Sequence, residues 1–304
     1  MANFYSQVES NKMKSNLILV FFIAFITASV YFMSYAFGYG PDLVFFAFLG
    51  SIIGTFFSYF YSDKIILTIS GARAATREEF FDFYTVTENL VMSQQMPMPK
   101  LYVIDDTAMN AFATGRDPKH AVICATTGLL SRLDRSEIEG VVAHELSHVK
   151  NYDIRLMSLV TVLVGMIALL ADLMIRMSFW GGNRKSDDSK SSGQLQIIFM
   201  VIGFALALLS PIIAQLIQLA ISRRREFLAD ATGVSMTKYA GGLANALEKI
   251  SHDREPLEAA NKATAHLYIS NPLKNVHGGV GWFAGLFNTH PPVEERLKAL
   301  RSLG

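Results

Sequence analysis

Four long apolar stretches constrain the fold of this 304-residue chain more than any other feature. They run from Leu17 to Phe37, from Leu43 to Tyr61, from Leu156 to Trp180 and from Ile197 to Ile221. A helix of roughly 20 apolar residues is long enough to cross the hydrocarbon layer of a membrane. Only 17% of the residues are charged, and the deficit is concentrated in these four blocks. We therefore predict a mainly α multi-pass membrane protein with four transmembrane helices.

Two of these stretches have a second interpretation. Leu17–Phe37 has the apolar character of a signal peptide, but it is long for one and another apolar stretch follows it closely, so we interpret it as a retained helix. The third stretch contains Asp172 and Arg176, which can pair along one face of a helix and so lower their cost inside a bilayer. Structural pairing is favoured, and a role in proton or substrate movement stays open.

The basic residues that flank the stretches predict their orientation, because loops rich in lysine and arginine remain in the cytoplasm. The basic residues of the loop 181–196 are only Arg184, Lys185 and Lys190. The basic residues expected on the other side are Lys12, Lys14, Lys64, Arg73, Arg77, Lys150, Arg155, Arg223, Arg224 and Arg225. Both termini are therefore predicted to be cytoplasmic. The predicted units are a tail at 1–16, spans within 17–61, a cytoplasmic block at 62–155, spans within 156–221 and a second cytoplasmic block at 222–304.

The two cytoplasmic blocks carry signals for an α+β domain with a small β-sheet. Short apolar runs at 101–104 and 121–125 are typical of strands, and Asn110–Gly115 lies between them as a third strand or an edge segment. Ser136 is predicted to cap a helix at its N-terminus. The predicted helices of these blocks are 80–92, 136–151, 239–250 and 292–303.

Charge and cysteine content argue against several classes of function. The net charge of +1 gives no support for nucleic-acid binding. The single cysteine, Cys124, rules out an intramolecular disulfide. Because Cys124 lies in the apolar run 121–125, we interpret it as a buried, unreactive thiol rather than a nucleophile.

The run His144-Glu145-Leu146-Ser147-His148 is an H-E-x-x-H motif within the predicted helix 136–151. Residues four apart lie on one face of a helix, so both imidazoles can bind a single zinc ion. Glu145 would then lie beside the open coordination position, where a carboxylate can take a proton from water. The motif and the neighbouring apolar stretch predict a membrane-embedded zinc protease. The alternative is a surface helix with two solvated histidines.

A catalytic zinc site needs a third protein ligand. Glu226 follows the fourth apolar stretch as closely as His148 precedes the third, so we expect both at one depth on one side of the membrane. Asp230, one helical turn later, would be able to orient a ligand histidine. Spacing alone is equally consistent with a membrane-flanking segment in which Glu226 is a surface charge. Five histidines compete for the role of third ligand: His120, His252, His266, His277 and His290.

In four motifs the chain resembles the HtpX-type membrane metalloproteases, which share a wider family with the CAAX prenyl proteases. The motifs are Asn110-Ala-Phe-Ala-Thr-Gly115, the H-E-x-x-H run with Asp153 downstream, Glu226-Phe-Leu-Ala-Asp230 and Thr289-His-Pro-Pro-Val-Glu-Glu-Arg296. The apolar stretches also fall in the order of that family. The resemblance therefore covers essentially the whole chain.

The resemblance implies a cytoplasmic zincin-like domain of the Glu-zincin type, with one zinc ion per chain. The metal ligands would be His144, His148 and Glu226. The carboxylates around them would be Asp153 and Asp230. Glu145 would be the general base and later the proton donor.

The resemblance also implies how a substrate would be held. The segment that would pair with the substrate backbone as an added strand consists of Asn110, Ala111, Phe112 and Ala113. His290 and Arg296 would face the site and stabilise the oxyanion of the tetrahedral intermediate. Whether the region 251–285 covers the site is left open by the sequence.

The expected function is that of a zinc endopeptidase of a bacterial cytoplasmic (inner) membrane, with the active site in the cytoplasm. Its expected substrates are misfolded or damaged membrane proteins, in a stress response that involves other membrane quality-control proteases as candidate partners. Two alternatives remain. One is a CAAX-type protease acting on prenylated C-termini, for which four spans are few to enclose a lipid chamber. The other is a transporter or scaffold with a structural metal.

Overall fold

The computed structural model describes residues 4–37, 42–163, 165–166, 223–258, 264, 267–270 and 291–303. Its helices are α1 (Phe4–Phe37), α2 (Asp42–Ile69), α3 (Phe81–Ser93), α4 (Thr127–Arg132), α5 (Arg135–Lys150), α6 (Arg223–Thr237), α7 (Ala240–His252) and α8 (Val293–Arg301). Its strands are β1 (Arg73–Ala74), β2 (Lys100–Ile104), β3 (Ala111–Thr114) and β4 (Val122–Thr126), with a short 3₁₀ turn at Pro118–His120. Residues 153–163 are also helical.

The first two predicted spans lie within α1 and α2. Val8–Ala28 and Val44–Ile69 are long and apolar enough to cross a membrane, and most of each segment is exposed on the protein surface. Helix α1 begins well before the apolar stretch, at Phe4, because the polar residues that precede Leu17 include no glycine or proline to interrupt it. The fourth predicted span, the loop 181–196 and most of the third span lie outside the described residues.

The described strands form one mixed sheet in the order β1-β2-β4-β3. Strand β2 runs parallel to β4, whereas β3 is antiparallel to β4 and β1 is antiparallel to β2. The three predicted strands are therefore confirmed, while the two-residue strand β1 was not predicted. Strands β1 and β3 form the two edges of this sheet, and β3 is the one nearer in sequence to the H-E-x-x-H helix.

Both faces of the sheet are covered, which explains why its strands read as continuous apolar runs. On one face, Ala111, Ala113 and Ile123 belong to a core that also contains the buried residues of α3, α5 and α7. On the other face, Phe112 and Cys124 pack with residues of α1, α2 and the helical segment 153–163. Cys124 is fully buried, and burial raises the pKa of its thiol, as expected for an unreactive core residue.

The N-cap of α5 is Asp134, so the prediction that Ser136 caps this helix is wrong. The Asp134 carboxylate accepts hydrogen bonds from the backbone N–H groups of Ser136 and Glu137, and Glu137 bonds back to the Asp134 N–H. This reciprocal capping box satisfies more helix-end donors than the Ser136 hydroxyl, which instead donates to Asp134. Glu137 also pairs with Lys249 of α7 at 2.7 Å, so the cap fixes where the two helices meet.

Helix α5 approaches its neighbours closely at two glycines. A Cβ on Gly140 would lie 2.4 Å from the backbone N of Leu243 in α7. A Cβ on Gly233 in α6 would lie 3.1 Å from the backbone N of His144. The helices that carry the H-E-x-x-H motif and Glu226 therefore pack backbone against backbone.

Gly140→Ala should destabilise the protein by about 1–3 kcal/mol, because the new methyl group overlaps backbone that cannot rotate away. Thermal unfolding in detergent measures the effect. Gly50→Ala is the matched control, since a Cβ there meets nothing within 4 Å. Equal melting temperatures for the two variants would contradict the close contact between α5 and α7.

Candidate metal centre

Helix α5 places His144, Glu145 and His148 of the H-E-x-x-H motif at one buried site. His144 and His148 lie on successive turns, with their Nε2 atoms 3.2 Å apart. Glu226 reaches them from α6, its Oε2 lying 3.7 Å from His144 Nε2 and its Oε1 3.5 Å from His148 Nε2. The side chains of His144, His148 and Glu226 are all buried. Among the described residues, these form the one group of three side chains whose ligand atoms are close enough to hold a metal ion.

The geometry of these donor atoms fits a divalent metal. Zinc binds imidazole nitrogen and carboxylate oxygen at about 2.0–2.2 Å in a tetrahedron, which places neighbouring donor atoms about 3.3 Å apart. The observed separations of 3.2, 3.5 and 3.7 Å are close to that value. When both imidazoles are neutral and each Nδ1 donates to a carboxylate, both Nε2 lone pairs face one another and the Glu226 oxygens. Such a buried set of acceptors is stabilised by a cation between them.

A carboxylate orients each histidine through its Nδ1 atom. His144 Nδ1 lies 2.9 Å from Asp230 Oδ1, and His148 Nδ1 lies 3.1 Å from Asp153 Oδ2. These contacts hold the imidazole rings so that Nε2 points toward the shared site. Both carboxylates that the sequence indicated are therefore in contact with the histidines.

The charges around the site draw positive charge toward His148. Burial favours its neutral form, but the hydrogen bond to Asp153 and the charge of Glu226 outweigh burial and raise the pKa of His148 to about 9. For His144, burial and the nearby Arg296 guanidinium together lower the pKa despite the contact with Asp230. A bound metal ion would replace the proton on His148 and serve the same electrostatic purpose.

Glu145 is buried between the metal group and strand β3. Burial raises the pKa of its carboxyl to about 7, and the charge of Glu226 acts in the same direction. The backbone N–H of Ala113 acts in the opposite direction and favours the ionised carboxylate. Glu145 therefore lies where the helix that holds the histidines meets the edge strand of the sheet.

Arg296 of α8 is fully buried beside the metal group. Its Nε and Nη2 atoms donate to the two oxygens of Asp230 at 2.9 and 2.6 Å. Its Nη1 atom lies 3.8 Å from Glu226 Oε2 and 3.4 Å from the backbone oxygen of Ile269. The family resemblance implied that Arg296 faces the site, but it did not indicate the pairing with Asp230. A single arginine on a short helix carries no local signal for a partner 66 residues away.

The predicted substrate-binding segment is already paired with the chain's own residues 269 and 270. The Asn110 side chain donates to the Ser270 backbone oxygen at 3.0 Å and accepts from the Ser270 N–H at 3.3 Å. The Ile269 N–H donates to the Ala111 oxygen at 2.9 Å. Phe112 is in register with Cys124 of β4, and its ring packs against Tyr268.

The competing histidines divide into two groups. His120 and His252 are exposed and bond to Asp117 and to the Glu248 carbonyl, away from the metal group. The others lie outside the described residues: His266, His277 and His290. The proposed oxyanion role of His290 therefore stays a prediction.

Comparison with known proteins finds a family that covers most of the chain. The sequence profile of the family described as Peptidase family M48 matches residues 79–303. A Protease HtpX homolog of Caldanaerobacter subterraneus is 42% identical over 301 residues, which cover 98% of this chain and 97% of that protein. A Protease HtpX homolog of Tropheryma whipplei is 46% identical over 246 residues, which cover 81% of this chain and 80% of that protein.

A solved structure is also similar. The crystal structure of S. mikatae Ste24p aligns with 96% of this chain and 66% of its own length, at 20% sequence identity and a TM-score of 0.49.

Glu226→Ala should reduce zinc affinity by more than the roughly 10–100-fold that is typical when a residue supporting a ligand is lost. The reason is that the predicted third ligand and a buried negative charge would disappear together. Metal analysis of the purified protein after dialysis measures the effect. Glu248→Ala, which removes an exposed carboxylate of α7, is the control. Stoichiometric zinc in the Glu226 variant would show that another group is the third ligand.

Proposed function

This chain belongs to peptidase family M48 and is a metalloprotease, and from that premise we propose that it is a zinc endopeptidase of the bacterial cytoplasmic membrane. We further propose that it cuts misfolded or damaged membrane proteins at their cytoplasmic segments. The observation that carries the proposal is the buried group of His144, His148 and Glu226 beside Glu145. Three ligands with an adjacent carboxylate favour a catalytic site, because structural zinc sites are usually closed by four protein ligands.

When bound, zinc would polarise the scissile carbonyl and lower the pKa of a water molecule toward neutrality. Glu145 follows His144 directly and is buried beside the metal group, so its carboxylate is proposed to accept the proton of the attacking water. The same carboxyl would then return the proton to the leaving amine, as a general acid. Asp153 and Asp230 would keep the two imidazoles in the orientation that binding requires.

Arg296 is proposed to stabilise the negative charge that develops on the substrate carbonyl oxygen. Two of its nitrogens are held by Asp230, which fixes the guanidinium plane. The remaining nitrogen, Nη1, already lies 3.4 Å from a backbone carbonyl oxygen, that of Ile269. A substrate carbonyl in a similar position would meet a preformed cation in a water-poor site, where electrostatic stabilisation is strongest.

The substrate is proposed to bind as an extended strand along β3. The groups that would hold it are the Asn110 side chain and the Ala111 backbone oxygen, which bond to Ser270 and Ile269 in this structure. Glu145 is only 2% exposed. A substrate that takes this edge of β3 would have to displace residues 269 and 270.

The membrane location is proposed from the two described apolar helices and from the distribution of basic residues. Val8–Ala28 and Val44–Ile69 can each cross a bilayer by length and composition. The metal-site helices α5 and α6 lie in the blocks that carry the excess of lysine and arginine, which supports a cytoplasmic active site. Membrane protein substrates would then reach the site from the plane of the inner leaflet.

Glu145→Gln should retain zinc and lose roughly 100-fold or more of its hydrolytic rate, because an amide cannot accept the proton of water. Casein cleavage in detergent and metal analysis of the same sample measure the two quantities. Glu139→Gln, a neutral substitution at a partly exposed position of the same helix, is the control. Full cleavage by the Glu145 variant, or the loss of its zinc, would rule out the proposed base.

Ile269→Pro removes the N–H that bonds to the Ala111 oxygen, so a peptide substrate should compete more easily for the strand edge. One net hydrogen bond is worth about 1 kcal/mol, so KM should fall by about fivefold while kcat is little changed. Ile269→Ala is the control, because it removes the same buried side chain but keeps the N–H. A KM equal in both variants would mean that residues 269 and 270 do not compete with substrate.

A further inference from the structure

We propose that Asn11 is a positioning residue for the metal ligand His148, which makes the N-terminal helix α1 part of the metal centre. This inference rests on the proposed metal site. Asn11 lies near the start of α1, 140 residues before the segment that it contacts. Nothing in its local sequence marks it as functional.

The Asn11 side-chain amide is bonded to the carboxylate that orients His148. Its Nδ2 donates to Asp153 Oδ1 at 2.7 Å and to the Asn151 backbone oxygen at 2.9 Å. The other oxygen of Asp153, Oδ2, lies 3.1 Å from His148 Nδ1. Asn11 is 3% exposed, so water does not compete for these bonds. A chain of two contacts therefore runs from α1 to the metal ligand.

A second donor completes the network from the side of Glu226. Arg225 Nη1 donates to Asp153 Oδ1 at 3.1 Å and to Asn11 Oδ1 at 3.2 Å. Arg225 directly precedes Glu226 in α6. The network therefore joins α1, the segment after α5, and α6 at the base of the metal group.

The two oxygens of Asp153 have separate tasks in this arrangement. Oδ1 accepts from both Asn11 and Arg225, which fixes the plane of the carboxylate. Oδ2 is left to accept from His148 Nδ1, and this contact keeps the Nε2 lone pair of His148 directed at the metal. An asparagine suits the position because its amide donates to a carboxylate and accepts from a guanidinium at the same time. Neither an aspartate nor an apolar residue can do both.

The test compares the zinc affinity of the full-length protein with that of Asn11→Ala, in detergent, by competition between the protein and a chelator for zinc. We expect the variant to bind zinc about 10-fold or more weakly, as when other residues that orient a ligand are removed. Asn16→Ala is the matched control. Asn16 lies on the same helix, but it is exposed and accepts a hydrogen bond from Arg155 at 2.8 Å. The zinc affinity of the Asn16→Ala variant should therefore equal that of the wild type.

A melting curve of the zinc-free protein separates positioning from a merely structural role. If Asn11 only anchors α1, Asn11→Ala will lower the melting temperature of the zinc-free protein and leave the zinc affinity of the folded protein unchanged, which overturns the proposal. If Asn11→Ala does not fold, Asn11→Ser is used in its place. The short serine hydroxyl cannot bridge Asp153 and Arg225, so the same loss of zinc affinity is expected. Wild-type protein that binds no zinc would instead overturn the proposed function.

Discussion

The contact between α5 and α6 is the interaction on which the rest of the structure depends. Helix α5 brings both histidines, and α6 brings Glu226 and the carboxylate of Asp230 that holds His144. Gly233 allows this approach, because a side chain there would press on the backbone of His144. The metal site is thus produced by packing of distant segments, and neither helix carries a complete site of its own.

Charge balance explains why these segments favour a metal ion. Around the site, the buried carboxylates of the described residues are Glu145, Asp153, Glu226 and Asp230. The buried guanidiniums that face them are Arg225 and Arg296. With both histidines neutral, as metal binding requires, and all four carboxylates ionised, acids exceed bases by two, and unpaired buried charge is costly. A divalent cation at the Nε2 atoms would cancel the excess. Charge balance also accounts for the burial of Arg296, because its guanidinium compensates the negative charge of the buried Asp230 carboxylate.

The sequence predicted those parts of the molecule that depend on local pattern. The helix of His144 and His148, the strands around Cys124 and Ala111, and the first two apolar helices were all predicted, because periodicity and spacing determine them. The N-cap was misassigned, since Asp134 and Ser136 are both good caps and only the reciprocal bond with Glu137 decides between them. The roles of Asn11 and Ile269 could not be predicted, because their partners are chosen by tertiary packing.

The pairing of Ile269 with Ala111 covers part of the edge of the sheet that β3 forms. An open β-strand edge is a template for aggregation, because any exposed strand can bond to it. In the described part of the chain, Ile269 and Ser270 cover this edge, so the Ala111 oxygen and the Asn110 amide are paired within the molecule rather than left open to a strand from another copy.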